Sequence, residues 1–180
     1  SPPVVFQNNG LFSFTHNHCI PSGSGFSFCA ILSKSFNSAL EKTSPCTIIG
    51  LSGSSGKSST KDLLASVLEA AGETVAPPGS FNNELGFPLT VLRADLNTKY
   101  LVLEMGARGV GHLALLCSIA QPQVGMVLNV GAAHLGEFGD LETTARAKSE
   151  VVATLPADGI AILNSDDERV RAMTAVTKAR

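Results

Sequence analysis

Cysteine-pair motifs, long apolar runs and an excess of either charge are all missing from this 180-residue sequence, and each absence removes a class of function. Its four cysteines, Cys19, Cys29, Cys46 and Cys117, form no C-x-x-C pair. Neither a zinc site nor a dense disulfide framework is expected, and the cysteines read as reduced thiols. No apolar stretch reaches the roughly 18 residues that a membrane-spanning helix needs. Thirteen Lys and Arg against fifteen Asp and Glu leave a formal net charge of −2, without the basic field that draws nucleic acid or anionic lipid. Small molecules or proteins are the expected partners.

Arginine is absent from residues 1–45, where only Lys34, Glu41 and Lys42 carry charge among many Ser, Phe, Asn, Pro and Gly. This stretch shows no sustained helical or strand period. It reads as a disordered or targeting segment, although transit peptides are usually Arg-rich. Two histidines there, His16 and His18, lack the further ligands of a metal site.

From Cys46 onward short apolar runs alternate with helical patterns. The runs are 46–51, 100–104, 124–129 and 160–164, with a weaker one at 73–76, and their continuous Val, Ile and Leu content suits strands buried on both faces. Helices are expected over 57–71, with Leu63, Leu64, Val67, Leu68 and Ala71 together on one apolar face, and over 110–119, 141–154 and 167–177. Strand and helix in alternation predict an α/β fold with right-handed crossovers and a three-layer parallel sheet.

One more absence is specific. Residues 50–60 read GLSGSSGKSST, and the standard phosphate loop G-x-x-x-x-G-K-[ST] asks for glycine where Leu51 stands. The physics of a phosphate site is nonetheless there. A strand precedes the loop and a helix follows it, Gly53 and Gly56 permit backbone angles closed to other residues, and a helix start adds positive potential. Lys57 contributes a full charge and Ser58 a hydroxyl for Mg²⁺. The phosphate-contacting set is Gly53, Ser54, Ser55, Gly56, Lys57, Ser58 and Ser59.

The shorter spacing G-[ST]-x-G-K-[ST], from Gly53 to Ser58, resembles the ATP loop of the Mur ligase family and its folylpolyglutamate synthetase relatives. Four further segments carry the same likeness. PPGSFNNELGFPLTVLR (77–93) resembles the Asn-Asn segment of the members that join D-alanyl-D-alanine to a UDP-muramoyl tripeptide, with Ser80 where asparagine is usual. LVLEMGARGVG (101–111), NVGAAHLGEFG (129–139) and ARAKSEVVATLPADGIAILNSDD (145–167) resemble the E-x-G-A, H-L-x-x-F-G and A-K-x-E to L-N-x-D-D segments.

The resemblance implies an ATP-dependent carbon–nitrogen ligase of peptidoglycan and cell-wall biosynthesis, acting through an acyl phosphate. It implies ATP and two Mg²⁺ ions as cofactors. Glu104, Ser58 and His134 would be magnesium ligands, and Lys148 a lysine carbamylated by CO₂ into a further metal ligand. Lys57, Lys148 and His134 would be the catalytic set. Asn82 and Asn83 would orient a phosphate or the muramoyl peptide, with a turn-forming role as their alternative. An exposed Lys148 paired with Glu150 or Glu142 is likewise open.

By the same resemblance residues 46–180 are the central ATP-binding domain, incomplete at its C-terminal end. Amino- and carboxyl-terminal ligase domains would be needed for UDP-muramoyl peptide and D-alanyl-D-alanine. A cytoplasmic location is implied, or a plastid if residues 1–45 are a transit peptide. The alternatives are a folylpolyglutamate-synthetase-like or other P-loop NTPase, and an inactive nucleotide-binding remnant.

Overall fold

The computed structural model describes residues 46–83, 86–131 and 140–180. Five strands, β1 (Thr47–Ser52), β2 (Thr74–Val75), β3 (Tyr100–Glu104), β4 (Val124–Val127) and β5 (Ile160–Leu163), form one sheet in the order β2-β3-β1-β4-β5. Every pairing is parallel. The connections carry α1 (Lys57–Glu69), α2 (Gly86–Val91), α3 (His112–Ile119) and α4 (Leu141–Ala153). After β5 come α5 (Glu168–Ala172) and a 3₁₀ turn (Met173–Ala175). The α/β class and the parallel sheet expected from the alternating pattern are what the chain forms.

Alternate residues of β1 and β3 point to opposite faces. Ile48, Leu101 and Leu103 join a core with Leu113 and Leu116 of α3 and Val151 and Val152 of α4. Ile49, Leu51 and Val102 join a second core with Leu64 and Leu68 of α1. Helices on both faces make three layers, and burial on both sides is why the strands read as unbroken apolar runs.

Two expectations need correction. The inner face of α1 does not carry Leu63 and Val67, which are 70% and 69% exposed, and Ala71 lies exposed past the end of the helix. Lys61 and Ala65 are buried instead, flanked by Leu64 and Leu68. Those four follow the i, i+3, i+4, i+7 spacing of one helical stripe, so the stripe is rotated from the one the apolar count suggests. The second correction concerns α2, which the turn-like residues at 82–88 conceal. Asn83 accepts from Gly86 N–H at 2.9 Å through its side chain, and Pro88 sits in the first turn, where a missing N–H costs nothing.

The order β2-β3-β1-β4-β5 puts β1 in the centre, with β3 and β4 on either side. From β1 the chain leads out to β2 on one side and from β4 to β5 on the other, and this switch opens a crevice beyond the carboxyl ends of β1 and β4, where open α/β sheets bind ligands. Leu51 is fully buried within β1, which runs on through Ser52. The position where a standard phosphate loop has glycine is here still strand, and this is why the loop is short.

Candidate nucleotide and metal site

The loop after β1 is shaped by its neighbours. Gly56 lies at φ 77°, in the left-handed region that favours glycine. Gly53 contributes differently from the expectation. Its φ is not positive, but an added Cβ would stand 3.0 Å from Leu128 Cβ and 3.3 Å from the Ser55 carbonyl oxygen, so it serves close approach. Asn129, two residues beyond β4, clamps the bend. Its Oδ1 accepts from the N–H groups of Ser54 and Ser55, both at 2.9 Å, and its Nδ2 donates to the Ser55 carbonyl at 3.2 Å. Ser54 Oγ accepts from Gly131 N–H at 2.9 Å, tying the same loop to the segment beyond β4.

With Ser54 and Ser55 held in this way, the start of α1 faces the crevice. No side chain caps that helix and no acidic residue lies in its first turn. The N–H groups of Lys57, Ser58 and Ser59 have no intrahelical acceptor, and the helix end carries about half a positive charge. This is an anion site in waiting. Asn129→Ala is expected to weaken nucleotide binding about tenfold and to lower stability by about 1 kcal/mol, because two loop N–H groups lose their side-chain acceptor. Isothermal titration and thermal melts of the two chains check both numbers.

Lys57 Nζ donates to the Gly53 carbonyl at 3.0 Å and so arches over the loop. Ser58 Oγ donates to Glu104 Oε2 at 2.9 Å, and Asn82 Nδ2 donates to Glu104 Oε1 at 2.7 Å. Glu104 is 1% exposed, and a buried carboxylate needs such partners. Among the described residues no three His, Cys, Asp or Glu side chains come together to hold a metal by themselves. The donors that do meet, one carboxylate and one hydroxyl beside a phosphate loop, fit Mg²⁺. That ion takes oxygen ligands and is usually bound by one or two carboxylates together with substrate phosphates and water.

Lys148 is 5% exposed on the inner stripe of α4, with Thr144, Ala147, Val151 and Val152. Desolvation, and then the charge of Lys57, hold its amine down from 10.5 to about 8. The surface pairing left open above does not form. Glu150 accepts from the N–H groups of Gly111 and Ala114 at the start of α3, the first at 2.5 Å and the second at 2.9 Å, and Glu142 meets Arg169 at 2.7 Å.

Ser58 and Asn82 therefore meet on Glu104 beyond the carboxyl ends of the central strands, next to Lys57, whose charge bears on Lys148. His134 lies outside the described residues. Asn83 does not join them through its side-chain oxygen, which caps α2. Ser59 sits exposed in the first turn of α1. Asp167 caps α5, accepting from Arg169 and Val170, and also accepts from Val130 N–H at 2.7 Å. The clamp made by Asn129 escapes sequence reading because its partners lie 74 and 75 residues away. A broad hollow between α4 and α5, lined by Glu142, Arg146, Arg169 and Arg171 among others, shares no residue with the loop.

A central strand, a short glycine-bent loop, an uncapped helix start and a buried strand-end carboxylate define a nucleotide-binding α/β domain of the P-loop kind. The Mur ligase middle domain family matches residues 51–180, and the chain belongs to that family. A UDP-N-acetylmuramoyl-tripeptide--D-alanyl-D-alanine ligase of Mycobacterium tuberculosis is 50% identical over 181 aligned positions, covering 99% of this chain and 35% of that protein. The ligase of the same name from Mycobacterium leprae is 60% identical over 134 residues, 74% of this chain and 26% of that one. The crystal structure of MurF ligase from Thermotoga maritima in complex with ADP superposes with a TM-score of 0.78 at 32% identity, over 94% of this chain and 39% of that one. The chain thus spans about a third of the length of these relatives.

Proposed function

We propose that this chain is the ATP-binding part of a ligase that adds D-alanyl-D-alanine to UDP-N-acetylmuramoyl-tripeptide. The observation that carries it is the meeting of Ser58 and Asn82 on Glu104 beyond the central strands, beside a phosphate loop over which Lys57 arches. A relative 32% identical to this chain was crystallised with ADP, and the mycobacterial relatives carry the ligase name.

In this reading the N–H groups at the start of α1 and the Lys57 ammonium hold the β- and γ-phosphates. Ser58 and Glu104 would hold one Mg²⁺, and Lys148, once carbamylated, would hold a second with His134. When bound, these ions would offset charge on the transferring phosphoryl group. The residues of this chain position and neutralise; the carboxylate that attacks and the amine that follows come with the other domains. Lys148 is suited to carbamylation, in which its neutral amine adds CO₂ and releases a proton. At pH 7.5 an amine of pKa about 8 is neutral about a quarter of the time. An ordinary lysine would be neutral about once in a thousand. Asn82 and Asn83 border the phosphate and peptide subsites.

Residues 46–180 then form the central domain, which works with amino- and carboxyl-terminal ligase domains. The M. tuberculosis match covers 99% of the chain and so takes in nearly all of residues 1–45. That supports a segment shared with bacterial ligases over a plastid leader, and with it a cytoplasmic place of work.

The test is to join this chain to both flanking domains and follow phosphate release. Release is expected only when UDP-muramoyl tripeptide and D-alanyl-D-alanine are both present, while the 180-residue chain alone binds Mg·ATP and ligates nothing. Phosphate release indifferent to either acceptor would refute the ligase reading.

A further inference from the structure

Lys61 is a cation sealed inside the molecule, one turn along α1 from the phosphate loop. It is 1% exposed, among the largest of the fully buried side chains. Its ammonium has three N–H donors and three oxygen partners: the Pro77 carbonyl at 2.7 Å, the Gly79 carbonyl at 2.9 Å and Asp62 Oδ1 at 2.8 Å. With all three donors engaged, two by loop carbonyls and one by the 71%-exposed Asp62 carboxylate, Lys61 has none left for a phosphate.

What it holds is the segment that leads to Asn82. Gly79 turns there at φ 58°, presenting its carbonyl to Lys61, and Asn82 N–H donates to the Ser80 carbonyl at 2.8 Å. The Asn82 carbonyl then accepts from Gly106 N–H at 2.8 Å, and its side chain reaches Glu104 at 2.7 Å. Glu104 accepts from Ser58, three residues before Lys61 on the same helix. The contacts close a ring: Ser58, Glu104, Asn82, the 77–80 segment, Lys61, and back along α1 to Ser58. Burying an ammonium is costly unless every donor is met, so an apolar side chain would fill this space with less demand. A lysine there fixes where the loop carbonyls go.

We propose that Lys61 is a positioning residue for the metal site: it fastens the 77–80 segment to α1 and thereby registers Asn82 and Glu104 against Ser58. This rests on the reading of Ser58 and Glu104 as Mg²⁺ ligands. The role is separable from simple support of the fold because it acts on metal-dependent binding and not on the anion site made by the start of α1.

The experiment measures ADP affinity of the full 180-residue chain by calorimetry, with Mg²⁺ and with EDTA. In the wild type Mg²⁺ is expected to raise affinity. In Lys61→Met the Mg²⁺-dependent gain is expected to fall at least fivefold, with affinity in EDTA within twofold of wild type. Gly79→Ala disturbs the other end of the tether without touching α1. Its added Cβ meets nothing within 4 Å, but its φ of 58° strains any other residue. It is expected to lose the gain in the same selective way and serves as the test if Lys61→Met does not fold. Asn82→Ala combined with either variant adds no further loss, since all act on one ring. A wild-type gain that both variants retain, or a loss equal with and without Mg²⁺, overturns the role of Lys61 alone. A wild-type affinity that ignores Mg²⁺ overturns the metal-site reading and the role of Lys61 with it.

Discussion

Lys57→Ala is expected to weaken Mg·ATP binding by on the order of 100-fold, about 3 kcal/mol, while the melting temperature of the free chain stays within a few degrees of wild type. Two observations separate these outcomes. The side chain is only partly buried, and its hydrogen bond, to the Gly53 carbonyl at 3.0 Å, is one that the loop can replace with water. Removing it therefore leaves no buried group unpaired, and stability is spared. A polyanion in the crevice loses much more. The helix start still offers its N–H groups, but the one full positive charge on the loop is gone, and charge-assisted hydrogen bonds are about twice as strong as neutral ones. Calorimetric titration of Mg·ATP into both chains decides it. Equal binding by the two would refute the phosphate-loop assignment, whatever the family match. Lys57→Arg keeps the charge, but its planar fork cannot arch over the loop as a point-like ammonium does, and an intermediate loss is expected.

The loop was legible in the sequence because its signal is local: an apolar run, then Gly and Lys at fixed spacing, then a helical pattern. Glu104 was legible for the same reason, as a carboxylate closing a run of four apolar or aromatic residues. The fold class followed from alternation along the chain and needed no contact information. What stayed hidden depends on residues far apart. Lys61 looks like any solvated helix lysine until the 77–79 carbonyls are placed above it, 16 and 18 residues further on. Its burial also rotates α1, which is why Leu63 and Val67 face outward against expectation. Helix α2 was masked by its own cap, since Asn and Gly before Pro read equally well as a turn. Lys148 is a middle case. Thr144, Ala147, Lys148 and Val151 fall on one stripe of α4, and all are buried. A lysine at the centre of a small and apolar face is a sequence signal for a buried amine.

Lys148→Met is expected to stabilise the chain at pH 7, by up to about 3 kcal/mol, and the gain should fade as pH rises. The sign follows from the amine's titration. In the unfolded chain it titrates near 10.5, and in the folded chain near 8. Between those values the unfolded state binds more protons, so wild-type stability rises with pH across this window and is level below it. Burial is the first cause, and the charge of Lys57 adds to it. Methionine has no charge to desolvate, so the variant lacks both the penalty at neutral pH and the rise from about 8 to 10.5. Urea unfolding of both chains from pH 7 to 11 in CO₂-free buffer measures the difference, and identical pH slopes would show that the amine is not suppressed. Lys57→Ala should shift the wild-type rise to higher pH, because the second cause is then removed. Bicarbonate supplies the last distinction. A carbamate on Lys148 converts a strained cation into an anion facing Lys57, so labelled bicarbonate should give a carbon-13 carbamate signal that Lys148→Met lacks. The same substitution in the complete ligase should abolish most phosphate release even though the protein is more stable. A gain in stability paired with a loss of turnover is what a residue retained for chemistry, against its own burial cost, must show.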